Sequence, residues 1–296
     1  MEQLANCPIC NSADINPVLE GCDFFLSREP FSISECRTCG LRFTNPRPVF
    51  SEMQKYYEST DYISHDSTQK GLLARIYKLA RRFTLRKKYS IIREFSKAKT
   101  ILDIGCGTGD FLNYCRNNGF SAFGVEPNEK PRKWATGHFR LDVRENLAEF
   151  LNEKIQFDCI TLWHVLEHIH ELQGTLSILE SLLKPGGSII IALPNINAWE
   201  ARHYGKFWAA LDLPRHLYHF NSSTLNFFAE KHGFRLIKTL PQTLDSFYIS
   251  LLSEKYLKGK TNFIKAFFIG LHSNIKAGKP EYGHSSLIYV LEREIN

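Results

Sequence analysis

A chain of 296 residues can enclose one sizeable core plus an appendage, and 43% hydrophobic with 23% charged residues is the composition of a soluble globular protein. Its best candidate for a membrane span, Phe263–Leu271, falls well short of the ~20 apolar residues required and contains Lys265, which excludes an integral helical membrane protein. The formal charge of +6 is concentrated: Lys70, Arg75, Lys78, Arg81, Arg82, Arg86, Lys87, Lys88 and Arg93 stand between Ser67 and Arg93 with no acid among them, so the remainder is acidic on balance.

The first residues, MEQLANCPIC, have neither the basic start nor the apolar core of a secretory signal, and a cytoplasmic protein is expected. In a reducing compartment, paired cysteine knuckles indicate metal more often than disulfides. Cys7 with Cys10 and Cys36 with Cys39 form two C-x-x-C pairs, a tetrahedral ligand set for structural Zn2+; isolated thiols or a redox pair are the alternatives. The 25 residues between Cys10 and Cys36 exceed the usual ribbon spacing, so the hairpin between the knuckles must be enlarged. A zinc-ribbon-like domain is assigned to residues 1–50, ending at FTNPRPVF, where Pro46 and Pro48 forbid a continuing helix.

Residues 51–97 read as a helical basic linker or cap. Leu72, Ile76, Leu79, Ala80 and Phe83 recur at helical spacing, and Arg75, Lys78, Arg82 and Arg86 fall along another face. Such a face most often only meets solvent. It could also serve an anionic substrate or a membrane surface, and least of all RNA, because no exposed aromatics suited to base stacking interleave with the charges.

From Thr100 the pattern alternates. TILDI is strand-like, with a helix over about 110–118 stopped by Gly119; SAFGVE is a second strand, with a helix from Asn128. FRLD is a weaker third strand, followed by a helical stretch near 145–153, and FDCITLW is a strong fourth. A helix near 171–183 ends at KPGG, which turns the chain into SIIIALP, the fifth strand; a helix from about Ser222 leads to FRLIKTL, and SSLIYVLER closes the chain. The alternation specifies an α/β fold, a mostly parallel sheet with helices on both faces, assigned to residues 98–296.

In such sheets ligands bind beyond the carboxyl ends of the strands. The turn in ILDIGCGTGDFL has G-x-G-x-G spacing (Gly105, Gly107, Gly109) where dinucleotide folds have G-x-G-x-x-G, and Asp110 in the helix's first turn would repel a pyrophosphate. Asp103 in the preceding strand suits a cationic group, and Glu126, 17 residues after Gly109, suits both hydroxyls of a ribose. A ligand with a ribose, a positive charge and no phosphate is S-adenosylmethionine.

ILDIGCGTGDFL, FGVEPN, FDCITLWHVLEHI and LKPGGSIIIALPN together resemble the ordered motifs of class I S-adenosylmethionine-dependent methyltransferases, over about two thirds of the chain. The resemblance implies a Rossmann-like seven-stranded sheet with its last strand antiparallel. It implies that Asp103, Gly105, Cys106, Gly107 and Gly109 meet the cofactor's methionine end, that Glu126 and Pro127 meet its ribose, and that Trp163, His164 and Val165 border it. The family's adenine-binding acid has no clean match; Asp142, Arg144, Glu145 and Asn146 all stay open. HVLEH, His164–His168, also matches the H-x-x-E-H pattern of a class of zinc peptidases, but it follows a strong strand, which favours a terminal turn in which Glu167 and His168 hold the loop by hydrogen bonds.

Between the fifth strand and the helix at Ser222 runs INAWEARHYGKFWAALDLPRHLYHF, too long to be a simple connection. Its aromatics suit a sugar or another flat, partly polar acceptor, with Trp199, Trp208 and Arg215 as acceptor-binding candidates. His216, then His219, then His164 are the candidates for a general base. A zinc knuckle ahead of this domain resembles sugar C-methyltransferases and relatives from surface-polysaccharide synthesis. The expected function is methyl transfer to a small-molecule or carbohydrate-like acceptor, with lipid- or nucleotide-linked acceptors included. An RNA methyltransferase gripping RNA through the ribbon and basic helix, or a non-catalytic zinc-ribbon interaction protein, are the other readings. Residues 243–283 are expected to add helices as a lid or as a contact to a partner or membrane.

Overall fold

The computed structural model describes residues 1–57, 72–96, 99–279 and 281–293; Lys70 lies outside them, as do the side chains of Leu72, Arg75, Ile76, Lys78, Leu79, Ala80 and Arg81. A four-stranded antiparallel sheet opens the chain: β1 (Ile15–Cys22), β2 (Pro30–Cys36) and β3 (Arg42–Thr44). The hairpin between β1 and β2 takes up the long spacer between the cysteine pairs. Asp23 closes its turn by accepting the backbone N–H groups of Phe25, Leu26 and Ser27 at 3.0, 3.0 and 2.9 Å. The fourth strand, β9 (Tyr218–His219), arrives from the long loop far later in the chain and pairs antiparallel with β3.

The larger sheet has seven strands: β4 (Thr100–Ile104), β5 (Ser121–Val125), β6 (Asp142–Arg144), β7 (Phe157–Trp163), β8 (Leu183–Pro194), β10 (Phe234–Pro241) and β11 (Ser286–Arg293). Their spatial order is β10-β11-β8-β7-β4-β5-β6, and β11 runs antiparallel to both of its neighbours while the others are parallel. Helices α1 (Leu72–Phe95), α2 (Asp110–Asn117), α3 (Glu129–Phe139), α4 (Leu147–Asn152), α5 (Leu172–Leu182), α6 (Trp199–Tyr204), α7 (Ser222–Lys231), α8 (Asp245–Lys258) and α9 (Phe263–Lys276) complete the fold.

Successive strand residues point to opposite faces, and the central strands are apolar on both. Leu102, Ile160, Leu162, Ile189 and Ile191 join one core; Ile101, Cys159, Ile190 and Ala192 join the other, with Ile91 and Ile92 of α1 and Phe111, Leu112 and Cys115 of α2. The first core does not stop at the sheet. It runs on through Leu217, Tyr218 and Phe220 into Ile9, Phe31, Ile33, Leu41 and Phe43 of the small sheet. The two sheets therefore share one apolar interior.

Three local expectations shift. The third strand begins at Asp142, not Phe139, because Phe139 still belongs to α3 and Arg140 takes φ 54° to leave that helix. KPGG does not turn the chain before the fifth strand: β8 starts at Leu183, paired with Phe157, and the glycines form an irregularity before Ser188 pairs with Cys159. Phe83, placed on the apolar face of α1, is exposed, because the helix reaches the core further along, through Ile91 and Ile92.

Candidate functional site

The glycine turn connects the carboxyl end of β4 to α2. Gly105 has φ +66°, and a Cβ there would come within 2.5 Å of Val165 Cγ2, so the turn and the end of β7 approach too closely for any side chain. Gly107 has φ +55° with no atom within 4 Å of its Cβ position, which leaves an open floor above the turn. The Glu126 carboxylate closes one side of it, accepting the Gly107 N–H and the Asn128 N–H, both at 2.9 Å. Gly109 is the N-cap of α2, and Thr108 donates to Asp110 at 2.6 Å, so a carboxylate occupies the helix's first turn. Cys106 turns its thiol under the sheet: a Cβ on Gly124 would lie 2.7 Å from its Sγ. Pro127 is exposed, and its carbonyl accepts from Arg132 at 2.6 Å.

Asp103 ends up buried at 3% exposure, hydrogen-bonded by Thr161 Oγ1 at 2.5 Å. Burial pushes its carboxyl up to about 6, against the pull of Lys88 and of the Thr161 hydroxyl. Lys88 is one of the charges counted in the basic segment. Its ammonium lies 4.5 Å from the Trp163 ring centre and 5.5 Å from that of Phe111, and burial lowers its pKa against the attraction of Asp103 and Asp245. The Trp163 indole N–H is buried without a hydrogen-bond partner among the described residues.

Past Trp163 the chain leaves β7 through His164, at φ +58°, into a 3-10 turn over Leu166–His168, so H-x-x-E-H is a strand-terminal turn and not a helix face. His164 sits between two carboxylates, with Nδ1 3.5 Å from Glu167 Oε1 and Nε2 3.5 Å from Asp245 Oδ2 at the start of α8. Burial works against its charge, but Asp245 and Glu167 together raise its pKa to about 9. His168 holds the loop by hydrogen bonding, donating from Nδ1 to the Arg215 carbonyl at 2.9 Å. Glu167 does so through its main chain, its carbonyl accepting the Leu217 N–H at 2.7 Å; its side chain is 1% exposed, and neither carboxylate oxygen has a hydrogen-bond partner among the described residues. Burial opposes its charge, and His164, followed by His168 and His216, holds its pKa below the ordinary value.

The long loop packs onto this turn. His216 donates from Nδ1 to the Ala210 carbonyl at 2.9 Å, and its Nε2 faces Glu167 Oε1 at 4.0 Å and Asp212 Oδ2 at 3.9 Å. His219 lies in β9, 4% exposed, with Nε2 unpartnered among the described residues; burial, then His216, pushes its pKa down to about 3. Arg215 is engaged within the protein. Its guanidinium, 2% exposed, meets Asp23 Oδ1 at 3.0 Å, Asp212 Oδ1 at 2.7 Å and the Tyr56 carbonyl at 3.0 Å. It ties the loop to the hairpin turn of the small sheet. Trp208 is buried with its indole N–H unpartnered among the described residues, whereas Trp199 is half-buried and stacks on His203 with ring centres 4.9 Å apart. The candidate adenine-side residues are engaged at the rim: Arg144 with Asp142 and Glu153, Glu145 with Arg132, and Asn146 as the N-cap of α4.

At the other end of the small sheet the two cysteine knuckles are built alike. Asn11 N–H closes the first onto the Cys7 carbonyl at 3.0 Å with φ 64°, and Gly40 N–H closes the second onto the Cys36 carbonyl at 2.8 Å with φ 76°. Residues tolerant of the left-handed region are needed at both places. The four sulfurs lie within 4.8 Å of one another, with Cys7 and Cys39 at 3.5 Å and Cys10 and Cys36 at 3.4 Å. A tetrahedron with ~2.3 Å zinc–sulfur bonds has sulfur–sulfur edges of roughly 3.8 Å, so the set fits the ion.

Of the residues singled out in the sequence, Asp103, Gly105, Gly107, Glu126, Trp163, His164 and His216 converge at the ends of β4, β5 and β7, while Cys106, Arg215 and Trp199 point elsewhere. Lys88, Asp212 and Asp245 belong to the same neighbourhood and carry no local signal that would have separated them from surface charges; Glu167 joins them, singled out in sequence only through the H-x-x-E-H pattern. The profile of a methyltransferase-domain family matches residues 74–239, more than half of the chain. Among curated proteins, a ubiquinone biosynthesis O-methyltransferase of Pseudomonas paraeruginosa is 32% identical over 106 residues, which covers 33% of this chain and 46% of that protein. The chain thus spans about half the length of the curated relatives it matches. A SAM-dependent methyltransferase of Archaeoglobus fulgidus shares the fold with a TM-score of 0.51 at 24% identity, covering 72% of this chain and 94% of that one. A SAM-bound magnesium protoporphyrin IX methyltransferase of Synechocystis PCC 6803 does so at 0.50 and 14%, covering 82% and 96%.

Proposed function

The chain belongs to the methyltransferase-domain family, and on that premise we propose that it transfers a methyl group from S-adenosylmethionine to a small, carbohydrate-like acceptor. The cofactor supplies an electrophilic methyl group on a sulfonium. Asp103 would take its ammonium and Lys88 its carboxylate, a pairing of opposite charges suited to an amino-acid end. Glu126 would accept the ribose hydroxyls with the lone pairs left by Gly107 and Asn128. Gly105, Gly107 and Gly109 bring the backbone close, with Cys106 and Pro127 contributing through their main chain. The open floor over Gly107, beside a buried carboxylate, is what favours this fit.

The observation that carries the acceptor side is the cluster of half-buried His164 with buried Glu167 and His216, lying between the glycine turn and the aromatic loop. His216 is the proton acceptor of this reading. Its Nδ1–H is committed to a carbonyl, its Nε2 is open, and Glu167 and Asp212 would balance the imidazolium formed when a hydroxyl acceptor loses its proton. His164, already held as a cation by two carboxylates, serves charge placement near the cofactor better than proton removal. His219 stays neutral and structural in β9. Trp208 would supply apolar wall, whereas Trp199 is turned onto His203. A structural zinc held by Cys7, Cys10, Cys36 and Cys39 would fix residues 1–50 as a closed module that takes no part in the chemistry.

Incubation with methyl-labelled S-adenosylmethionine and cell extract, followed by separation into RNA, protein, lipid-linked and small-molecule pools, tests the reading, with Asp103→Ala as the blank. Label in the small-molecule or lipid-linked pool is expected; label confined to RNA overturns it. Metal analysis should find one zinc per chain, lost in Cys36→Ser.

A further inference from the structure

Helix α9 is built inside out. The face it turns to the protein carries Ala266, Ile269, Gly270 and Ser273, at helical spacing and mostly small. They allow a close approach to α8: a Cβ on Gly270 would lie 2.9–3.0 Å from Phe247. The large apolar residues face outward instead. Phe263 is 70% exposed, Ile264 73%, Phe267 54%, Phe268 61% and Ile275 67%. An ordinary surface helix of a soluble protein buries such residues and exposes its charges. A contiguous apolar stripe of this kind marks a docking surface.

The charges around the stripe identify what covers it. From Lys255 to Lys279 there are six lysines and no Asp or Glu. Lys265 is neutralised by Glu254 at 2.6 Å, but Lys255, Lys258 and Lys260 before the helix and Lys279 after it are exposed. A second copy of the chain docked on this face would bring like charges together at the rim of the stripe. An anionic lipid surface matches both parts, taking the phenyl and isoleucyl side chains below its headgroups and the ammonium groups among them. A helix of 14 residues, ~21 Å long, is too short to span a bilayer but suits lying in its interface.

We propose that the α8–α9 hairpin docks the protein in the plane of an anionic membrane surface, with α9 embedded by its Phe263–Ile275 stripe. The site lies against the acceptor side of the fold: Asp245 at the start of α8 pairs with His164, and Ser273 of α9 hydrogen-bonds Glu200 of α6. Docking does not depend on the methyl acceptor and is tested without it.

The full chain is mixed with sedimentable vesicles of phosphatidylcholine alone or with phosphatidylglycerol added, and its self-association is followed separately by sedimentation velocity. Binding to the anionic vesicles, weakened by salt and much lower on pure phosphatidylcholine, is expected. Ile264→Ser/Phe268→Ser should lower the partition roughly a hundred-fold, since two buried apolar side chains are lost. Lys258→Glu/Lys260→Glu should remove the preference for phosphatidylglycerol. Both pairs are exposed, and unchanged thermal unfolding verifies that the fold is intact. No vesicle binding by the unsubstituted protein, or a dimer that Ile264→Ser/Phe268→Ser converts to monomer, overturns the proposal.

Discussion

Replacing Arg215 by Met separates a structural from a recognition role for the one fully buried guanidinium of the loop. The side chain bridges Asp23 in the small sheet, Asp212 in the loop and the Tyr56 carbonyl. Removing one partner of a buried ion pair costs about 3–5 kcal/mol, because the charge left behind stays desolvated. Asp23 would keep three backbone N–H donors, which cover part of its charge. Asp212 would keep no ion-pair partner nearer than the His216 ring, 3.9 Å away. The loss should therefore fall near the lower end, about 3 kcal/mol, or a melting temperature lower by roughly ten degrees or somewhat less for a chain of this size. Arg215→Lys retains the charge but cannot fork to both carboxylates and the carbonyl, so about half of the loss is expected. Denaturant unfolding of the cofactor-free protein measures both. A loss below about 1 kcal/mol, together with a large rise in acceptor KM, would show that Arg215 serves recognition and that the junction argument is mistaken.

Three other outcomes follow from the site. The folded pKa of His164, about 9, lies above its unfolded value near 6.5. Its stabilising contribution is therefore complete below about pH 6.5 and disappears as pH rises through about 9; imidazole titration by NMR should show a midpoint near 9 that falls in Asp245→Asn. His216→Ala should lower turnover roughly a hundred-fold with unchanged cofactor affinity by calorimetry, and a loss of cofactor binding, or an unaltered rate, counts against His216 as proton acceptor. Asp103, raised to about 6, should lose its charge in the free protein below that pH, so cofactor affinity should weaken between pH 7 and 5 and be insensitive over that range in Asp103→Asn.

What was legible in the sequence was local. The strand-and-helix alternation, the glycine turn and the cysteine knuckles are each set by a few adjacent residues, and apart from the third strand and KPGG they stand where the spacing put them. Long-range partnerships left no such trace. Lys88 looks in sequence like Lys87 beside it, yet Lys87 reaches the Pro241 carbonyl at 2.9 Å while Lys88 turns in over Trp163. Arg215 read as a free cation because Asp23 lies 192 residues away. The two-residue strand β9 is too short for periodicity to reveal and exists because β3 offers it an edge. In α9 the sequence showed an apolar helix; only the positions of α8 and α6 decide which side of it is covered.

The pairing of β9 with β3 makes the amino-terminal ribbon a poor candidate for a detachable module. Thr44 donates to the Leu217 and His216 carbonyls at 2.9 and 2.7 Å, on the main chain that carries the imidazole facing Glu167. A truncation beginning at residue 51 would strip one edge from the segment that carries His216 and expose Leu217 and Phe220, which are now completely covered. A chimaera with a foreign ribbon would have to reproduce both hydrogen bonds to keep His216 in register. Ribbon and loop therefore form one surface in space although they are discontinuous in sequence.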